Sequence, residues 1–289
     1  MDYSEAVQKG KDLLLTDVRH FDLDETLDCG QAFRYEKTSD GYQGIAYGRC
    51  LKIEVAGDGS IARNVILKDV TLPDFESTWK KYFDLQRDYG QLRDFLLEHG
   101  GEPMKLATEF SPGLRHMRQD PWEMLISFIL SQNTNIPRIK TMIGKLCENF
   151  GDKLSCGGYE FPSWEKLAVL NLDDLAIIKC GYRAAFIIDA VRRAADGRLN
   201  ILDLMLKDTE KIREELLKIH GVGPKVADCV LLLGFGRIEV CPVDVWIKRA
   251  LEKYYPKGFP KKLAPYAGIA QQYLFHYIRR CGSNFLNKI

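Results

Sequence analysis

Along the first hundred residues, hydrophobic and polar positions alternate in the manner of β-strands. Residues 51–55 alternate as a half-buried strand does, and residues 65–70 can form its partner across the turn Gly57-Asp58-Gly59. Residues 41–48 favour a further, weaker strand. Two helices are predicted in the same part of the chain, over residues 75–83 and 89–99.

From about residue 106 onward, the pattern changes to helical periodicity. Residues 121–130 begin with a proline after Asp120, which is typical of a helix start, and are apolar almost all round, so a buried helix is expected. Gly100 and Gly101 indicate a boundary. We therefore predict an α+β chain, with an antiparallel sheet domain over residues 1–105 and an all-helical domain over residues 106–289.

One turn between two predicted helices carries the clearest chemical signal. Gly221 and Gly223 allow a sharp turn and close approach of another backbone, and Pro224 suits the first turn of a helix. The N–H groups at the start of that second helix form a site for an anion such as a phosphate. Two glycines alone would indicate an ordinary turn between two helices. The residues around them favour binding to the DNA backbone.

Residues 217–228 resemble the helix-hairpin-helix motif of the DNA glycosylase superfamily. The resemblance implies that Lys225 is a nucleophile, and since a protonated amine cannot attack, we expect its surroundings to favour the neutral form. The alternative is a surface lysine that contacts phosphate. Asp244 follows in the sequence Pro242-Val243-Asp244 and is expected to cap a helix. The resemblance also makes it the carboxylate that stabilises a cationic sugar.

Five further segments narrow the resemblance to 8-oxoguanine DNA glycosylases. They occur in the order typical of that family and span nearly the whole chain. Together they are much more specific than any one of them. The segments are residues 29–34, 118–123, 131–139, 181–184 and 265–271.

The resemblance implies four residues that hold the damaged base. The Gly30 carbonyl would accept the N7–H that 8-oxoguanine has and normal guanine lacks. Phe275 and Cys229 would enclose the flipped base, and Gln271 would read its Watson–Crick edge. Without the resemblance, these residues would be interpreted as a turn glycine, two core residues and a solvated polar side chain.

A second set of residues would contact the DNA that remains stacked. Asn133, Arg138 and Arg183 resemble the trio that reads the unpaired cytosine, and Tyr182 resembles the aromatic ring that fills the gap in the stack. Surface ion pairs and a half-buried tyrosine are the alternative interpretation. Trp246 departs from the family pattern, because animal members carry at that position a histidine that contacts a phosphate.

Composition adds one objection and several expectations. The chain has 289 residues and a net charge of only +1, which counts mildly against DNA binding. No apolar run is long enough to span a membrane, and the N-terminus has no signal pattern, so a cytoplasmic protein is expected. The lack of targeting tails favours a prokaryotic origin. The eight cysteines show no C-x-x-C spacing and are expected to be reduced thiols without an iron–sulfur cluster.

These observations predict a bifunctional enzyme. It would excise 8-oxoguanine opposite cytosine from duplex DNA and cleave the strand by β-elimination through a lysine Schiff base. We expect a monomer that needs no organic cofactor or catalytic metal, with a structural ion at the hairpin left open. A glycosylase of the same fold for another lesion, or a DNA-binding module without catalysis, are the alternatives.

Overall fold

The computed structural model describes residues 1–56 and 62–281, and the predicted turn at Gly57-Asp58-Gly59 lies outside these ranges. Its N-terminal part is a six-stranded antiparallel sheet with the strand order β1-β2-β6-β5-β4-β3. The strands are β1 (Ala6–Lys9), β2 (Asp12–Arg19), β3 (Tyr35–Lys37), β4 (Gly41–Ala46), β5 (Arg49–Ala56) and β6 (Ala62–Lys68). The three strands predicted from alternation correspond to β4, β5 and β6.

A row of buried side chains crosses the sheet and explains its register. Leu67 of β6 pairs with Leu13 of β2 on one side and with Ile53 of β5 on the other, and Tyr42 of β4 lies opposite Ile53. All four side chains are buried. A slip by one residue would turn this row toward solvent, so burial fixes the pairing.

The remaining described part of the chain is helical. It contains a π-helical turn at Phe75–Trp79 and 3-10 turns at Asp174–Ile178 and Lys261–Tyr266. None of the described helices is long and apolar enough to cross a membrane. The α-helices are α1 (Leu23–Leu27), α2 (Leu72–Asp74), α3 (Lys80–Tyr82), α4 (Tyr89–His99), α5 (Gly101–Phe110), α6 (Pro121–Leu130), α7 (Ile136–Phe150), α8 (Trp164–Ala168), α9 (Arg183–Ala195), α10 (Ile201–Met205), α11 (Thr209–Leu217), α12 (Pro224–Leu233), α13 (Val245–Tyr254) and α14 (Ala267–Cys281).

Helix α6 is the centre of the helical part. All ten of its residues are buried, as its sequence predicts, and Asp120 caps it by accepting a hydrogen bond from the Glu123 N–H at 2.8 Å. Helix α12, which begins at the glycine turn, packs along it. This packing gives the glycine turn a rigid support.

The α+β architecture is confirmed, while the expected division at residue 105 falls inside helix α5. Helix α5 packs against α14 near the other end of the chain, and Met104 and Tyr273 share one buried cluster. The division into domains at that residue therefore remains a prediction.

The expectation that the cysteines are reduced thiols is wrong for two of them. Cys50 of β5 forms a disulfide with Cys156 in the loop after α7, with a Cα–Cα distance of 6.3 Å that is usual for such bonds. The partners are 106 positions apart, so only the folded chain brings them together. The other six cysteines are free thiols, all of them within the described residues.

Candidate active site

The glycine turn joins α11 to α12 as predicted. Gly221 has a φ of +81°, and a Cβ there would lie 2.3 Å from the ring of Phe186, so this position requires glycine. Gly223 has ordinary backbone angles, and a Cβ on it would meet open space. The first glycine is therefore needed for the fold, whereas the second leaves the start of α12 open to an approaching molecule.

A cavity of about 60 Å³ lies beside the first turn of α12. It collects residues from segments far apart in the chain, including both predicted catalytic residues and all four residues predicted to hold the base. A purine is larger than this space, so it could enter only if lining side chains move. The lining residues are Gly30, Phe128, Lys225, Cys229, Leu233, Pro242, Asp244, Gln271, Gln272 and Phe275.

The Lys225 amine lies between an aromatic ring and a thiol. Its Nζ is 5.1 Å from the centroid of the Phe128 ring, and its charge acts on the thiol of Cys229, one helical turn further along α12. Within the described ranges, no carboxylate lies within ion-pair distance of Lys225. The Phe128 ring and the neighbouring thiol thus flank the amine at the cavity, and no salt bridge of the described residues engages it.

The neighbouring thiol is not a competing nucleophile. Burial raises the pKa of Cys229, and the charge of Lys225 together with its hydrogen bond opposes that rise only in part. A thiol attacks as the thiolate, so a raised pKa keeps Cys229 in the unreactive form. The lysine is the more suitable nucleophile of the pair.

Asp244 occupies the N-cap of α13, as predicted. Its Oδ1 accepts a hydrogen bond from the Ile247 N–H at 2.8 Å, which fixes the carboxylate at the cavity wall. Among the described residues, no donor contacts the second carboxylate oxygen. One oxygen is therefore used by the helix, and the other is available to a cationic group in the cavity.

The opposite side of the cavity is built by Gly30 and by helix α14. Gly30 has a φ of +95°, and a Cβ there would lie 3.5 Å from Phe275 and 3.1 Å from Ile136. Gln271 lies on the same side and is only 4% exposed. The backbone angle thus favours glycine at this position, and its neighbours leave little room for a side chain.

Sequence reasoning missed two residues of this cavity. Phe128 lies in the buried helix α6, where nothing distinguishes it from its apolar neighbours. Gln272 follows Gln271 within the otherwise apolar stretch 267–274, so a pair of adjacent glutamines was the available signal. Both residues contact predicted site residues and not the solvent.

The second predicted set lies on the surface, with one exception. Asn133, Arg138 and Tyr182 are exposed, and Tyr182 is 55% exposed. Arg183 is only 5% exposed, and its guanidinium donates to the backbone carbonyls of Gln132, Asn133 and Cys180.

In this structure the guanidinium of Arg183 is engaged by backbone carbonyls, and its contact with the opposite base remains a prediction. The carbonyls of Gln132 and Asn133, in the loop that carries Asn133, accept hydrogen bonds from its N–H groups. Asn133 itself has a φ of +47°. Arg183 supports the loop that presents Asn133.

Aromatic contacts link this surface to the glycine turn. The ring of Tyr182 packs edge-on against Phe186 with centroids 5.6 Å apart, and Phe186 in turn packs against His220 at 4.8 Å. Gly221 lies against the same Phe186 ring. The exposed tyrosine and the hairpin thus contact the same ring, that of Phe186.

Trp246 is exposed at the start of α13, two residues after Asp244. Its side chain is 45% exposed, and the guanidinium of Arg249 lies 5.7 Å from the centroid of its ring. An arginine one turn away thus places a positive charge beside the indole ring.

The described residues contain no group of three or more histidine, cysteine, aspartate or glutamate side chains that could hold a metal ion. A structural ion bound by carbonyls of the hairpin is not addressed by that finding. The expected absence of an iron–sulfur cluster remains a prediction.

Comparison with known proteins gives consistent similarities along the chain. Residues 13–125 match the family described as 8-oxoguanine DNA glycosylase, N-terminal domain, and residues 126–262 match the HhH-GPD superfamily base excision DNA repair protein family. The N-glycosylase/DNA lyase of Saccharomyces cerevisiae is 34% identical over 258 residues, which cover 81% of this chain and 68% of that protein.

Two solved structures have a similar fold over almost the full chain. The structure of MBOgg1 in complex with a low affinity DNA ligand has a TM-score of 0.89 and 40% identity, covering 98% of this chain and 100% of that one. The Clostridium acetobutylicum 8-oxoguanine glycosylase/lyase, in complex with double-stranded DNA containing cytosine opposite 8-oxoguanine, also has a TM-score of 0.89. It is 35% identical and covers 97% of this chain and 99% of that one.

Proposed function

Because this chain belongs to the 8-oxoguanine glycosylase/lyase family of helix-hairpin-helix base excision repair proteins, we propose that Lys225 and Asp244 carry out its two reactions. The observation that carries the proposal is their convergence, with Gly30, Cys229, Gln271 and Phe275, on one cavity. The substrate we propose is duplex DNA with 8-oxoguanine opposite cytosine.

In the first reaction, Lys225 replaces the base. Its neutral amine attacks C1′ of the sugar, the bond from C1′ to the base breaks, and the departing base takes up the proton that the amine loses. Positive charge develops on the sugar as the base leaves, and the free oxygen of the Asp244 carboxylate stabilises it electrostatically. The product is a covalent bond between Lys225 and the sugar.

In the second reaction, the covalent intermediate permits strand cleavage. The sugar ring opens to a Schiff base between Nζ of Lys225 and C1′, which acidifies the protons on C2′. Loss of one such proton and departure of the 3′ phosphate with its bonding electrons complete a β-elimination. The Schiff base formed by Lys225 accepts electron density from C2′ as the proton leaves, so one residue serves both activities.

We propose that the lesion is recognised at the far side of the cavity. The Gly30 carbonyl accepts the N7–H of 8-oxoguanine, a donor that undamaged guanine does not have. Phe275 stacks on the flipped base, Cys229 lies on its other face, and Gln271 reads its Watson–Crick edge. Entry of the base requires these side chains to move, since the cavity of about 60 Å³ is too small for it.

The surface beside the cavity would hold the remaining DNA. Asn133 and Arg138 read the cytosine left without its partner, with Arg183 acting through the loop that carries Asn133. Tyr182 fills the gap left by the flipped base. At the hairpin, the open space at Gly223 lets a phosphate reach the amides at the start of α12.

The scheme uses side chains of one chain alone. We propose that a single copy acts without an organic cofactor or a catalytic metal, because an amine and a carboxylate provide the nucleophile and the electrostatic stabilisation. All of the residues named for the chemistry line one cavity.

Borohydride trapping tests the role of Lys225. Wild-type protein should form a covalent complex with a duplex containing 8-oxoguanine opposite cytosine, and not with an undamaged duplex. Lys225→Gln should lose trapping and excision by several orders of magnitude while still binding the lesion. Lys105→Gln, a change at an exposed lysine of α5, is the matched control and should behave as wild type.

Two outcomes would contradict the proposal. Trapping that survives in Lys225→Gln would assign the nucleophile to another amine. Faster excision from a duplex containing an alkylated purine than from the 8-oxoguanine duplex would favour a different lesion.

A further inference from the structure

We propose that Gln272 is a positioning residue that fixes the orientation of the Gln271 amide and so selects a guanine-type over an adenine-type base edge. The inference rests on the proposed role of Gln271 in reading the base. It adds a determinant of specificity that does not itself need to touch the lesion.

The two glutamines are joined by a short hydrogen bond. Nε2 of Gln272 donates to Oε1 of Gln271 at 2.6 Å, and the residues are 8% and 4% exposed. Consecutive side chains on a helix point about 100° apart and do not normally face each other. Their contact here means that both side chains turn toward the same cavity, which both of them line.

This bond distinguishes the two ends of the Gln271 amide. A glutamine amide carries an acceptor oxygen and a donor NH₂ group, and a half-turn exchanges them. If Gln271 turned alone, its NH₂ would face the NH₂ of Gln272, and two donors would meet without an acceptor. As long as Gln272 is the donor, the bond keeps the oxygen of Gln271 on the side of Gln272 and the nitrogen on the other side.

A fixed amide matters because guanine and adenine have opposite edges. The guanine edge has the O6 acceptor beside the N1–H donor, whereas the adenine edge has the N6 donor beside the N1 acceptor. An amide in one fixed orientation can pair with only one of these orders. An amide that turns freely can pair with both.

Gly30 cannot make this distinction. In their keto forms, 8-oxoguanine and 8-oxoadenine both carry a hydrogen on N7, so both can donate to the Gly30 carbonyl. The stacking contact with Phe275 is also common to all purines. Among the residues proposed to hold the base, Gln271 is the one whose hydrogen bonds distinguish the two lesions.

The charged groups of the cavity do not determine the amide orientation. Lys225 on α12 and Asp244 at the start of α13 face the same space. Within the described residues, neither of them hydrogen-bonds to either glutamine. The orientation therefore depends on the glutamine pair, and a change at Gln272 should alter it.

The test compares excision of 8-oxoguanine and 8-oxoadenine from otherwise identical duplexes, with cytosine opposite the lesion. Single-turnover rates are measured for wild type, Gln272→Met and Gln272→Glu. Methionine has a similar size but no donor, so the amide becomes free to turn. The ratio of the 8-oxoguanine rate to the 8-oxoadenine rate should fall by about tenfold, as expected for the loss of one good bidentate discrimination.

Gln272→Glu should lower the same ratio further. An ionised carboxylate only accepts hydrogen bonds, so it would attract the NH₂ of Gln271 and reverse the amide. In wild type, the two amides could also turn together and keep their hydrogen bond. A carboxylate at position 272 removes this possibility, because it offers no donor in either orientation. Thermal melting shows whether each variant is folded, and Gln272→Met alone suffices if the charged variant is not.

The ratio separates positioning from general support. Equal losses on both lesions would show that Gln272 only stabilises the cavity, and an unchanged ratio in the folded variants would show that it does not orient Gln271; either result overturns the inference. Wild-type protein that excises no 8-oxoguanine would instead overturn the proposed function, and the inference with it.

Discussion

Single residues around the site differ in whether they hold the structure or face the substrate. Arg183 and Arg138 illustrate the difference. The guanidinium of Arg183 supplies the donors for three backbone carbonyls, whereas the side chain of Arg138 is exposed in the first turn of α7. The hydrogen bond to the Cys180 carbonyl is buried, and leaving a buried acceptor unsatisfied costs about 1–3 kcal/mol, so the two arginines should respond differently to removal.

This difference predicts opposite results for two alanine variants. Arg138→Ala should leave the melting temperature unchanged and reduce the preference for cytosine opposite the lesion by roughly 5- to 150-fold, the range for one base contact. Arg183→Ala should lower the free energy of unfolding by roughly 2 kcal/mol or more. Excision rates with each of the four bases opposite 8-oxoguanine, together with thermal melts, measure both effects.

An unchanged opposite-base profile for Arg138→Ala would remove that residue from base reading. A stable Arg183→Ala protein that has lost only its preference for cytosine would show that Arg183 reads the unpaired cytosine directly, as the family resemblance implies.

At the scale of elements, only one of the two hairpin glycines is required by the fold, while the other lies beside open space. Gly221 combines a positive φ with close contact to the Phe186 ring, and Gly223 has neither constraint. The two positions lie two residues apart in the same turn. They therefore form a natural pair for separating the stability of the hairpin from its contact with DNA.

Gly221→Ala should destabilise the protein by about 1–3 kcal/mol, because the added methyl group meets the ring of Phe186. Gly223→Ala should leave the free energy of unfolding nearly unchanged but weaken binding to DNA, since its methyl group enters the space proposed for a phosphate. Denaturant unfolding and titration with a lesion duplex measure the two effects. Normal DNA affinity in Gly223→Ala would argue against a phosphate contact at this turn.

Sequence patterns predicted the elements whose periodicity is simple. Helix α6 is apolar all round and proved fully buried, and the strand at residues 51–55 alternates cleanly. Strand β2 was missed because three consecutive leucines hide its alternation and the pairing shifts between Leu15 and Val18. The short strands β1 and β3 have too few residues to show a period.

The site was predicted less evenly than the fold, and the reason is distance along the chain. The hairpin with Lys225 and Asp244 is local, so its residues identify one another. Gly30 and Phe275 are separated by most of the sequence, and only the family resemblance placed them together. The adjacent glutamines Gln271 and Gln272 were a local signal, but the pattern did not indicate their hydrogen bond, and nothing indicated the buried position of Arg183.

At the scale of the whole molecule, the Cys50–Cys156 disulfide ties the sheet to the helical part. Cys50 lies in β5, and Cys156 lies in the loop between α7 and α8. The bond closes a long stretch of chain, which limits the conformations of the unfolded state. Its stabilising effect should therefore appear in global unfolding and not at the cavity.

Reduction of this disulfide should lower the free energy of unfolding by about 2–4 kcal/mol. Guanidinium unfolding of the wild type with and without reductant measures the change. The variant carrying Cys50→Ser and Cys156→Ser should resemble the reduced protein and should not respond to reductant. A wild-type midpoint that does not move with reductant would contradict a stabilising disulfide.

The small cavity beside Lys225 has a consequence for how the protein would search DNA. At about 60 Å³ it cannot hold a purine, so a base must be admitted by a more open conformation. The apparent affinity for any flipped base is reduced to the fraction of the free protein in that conformation, for damaged and undamaged bases alike. Only a base whose contacts favour the open form shifts the population toward it. Brief encounters with normal guanine would end before the amine has a sugar to attack.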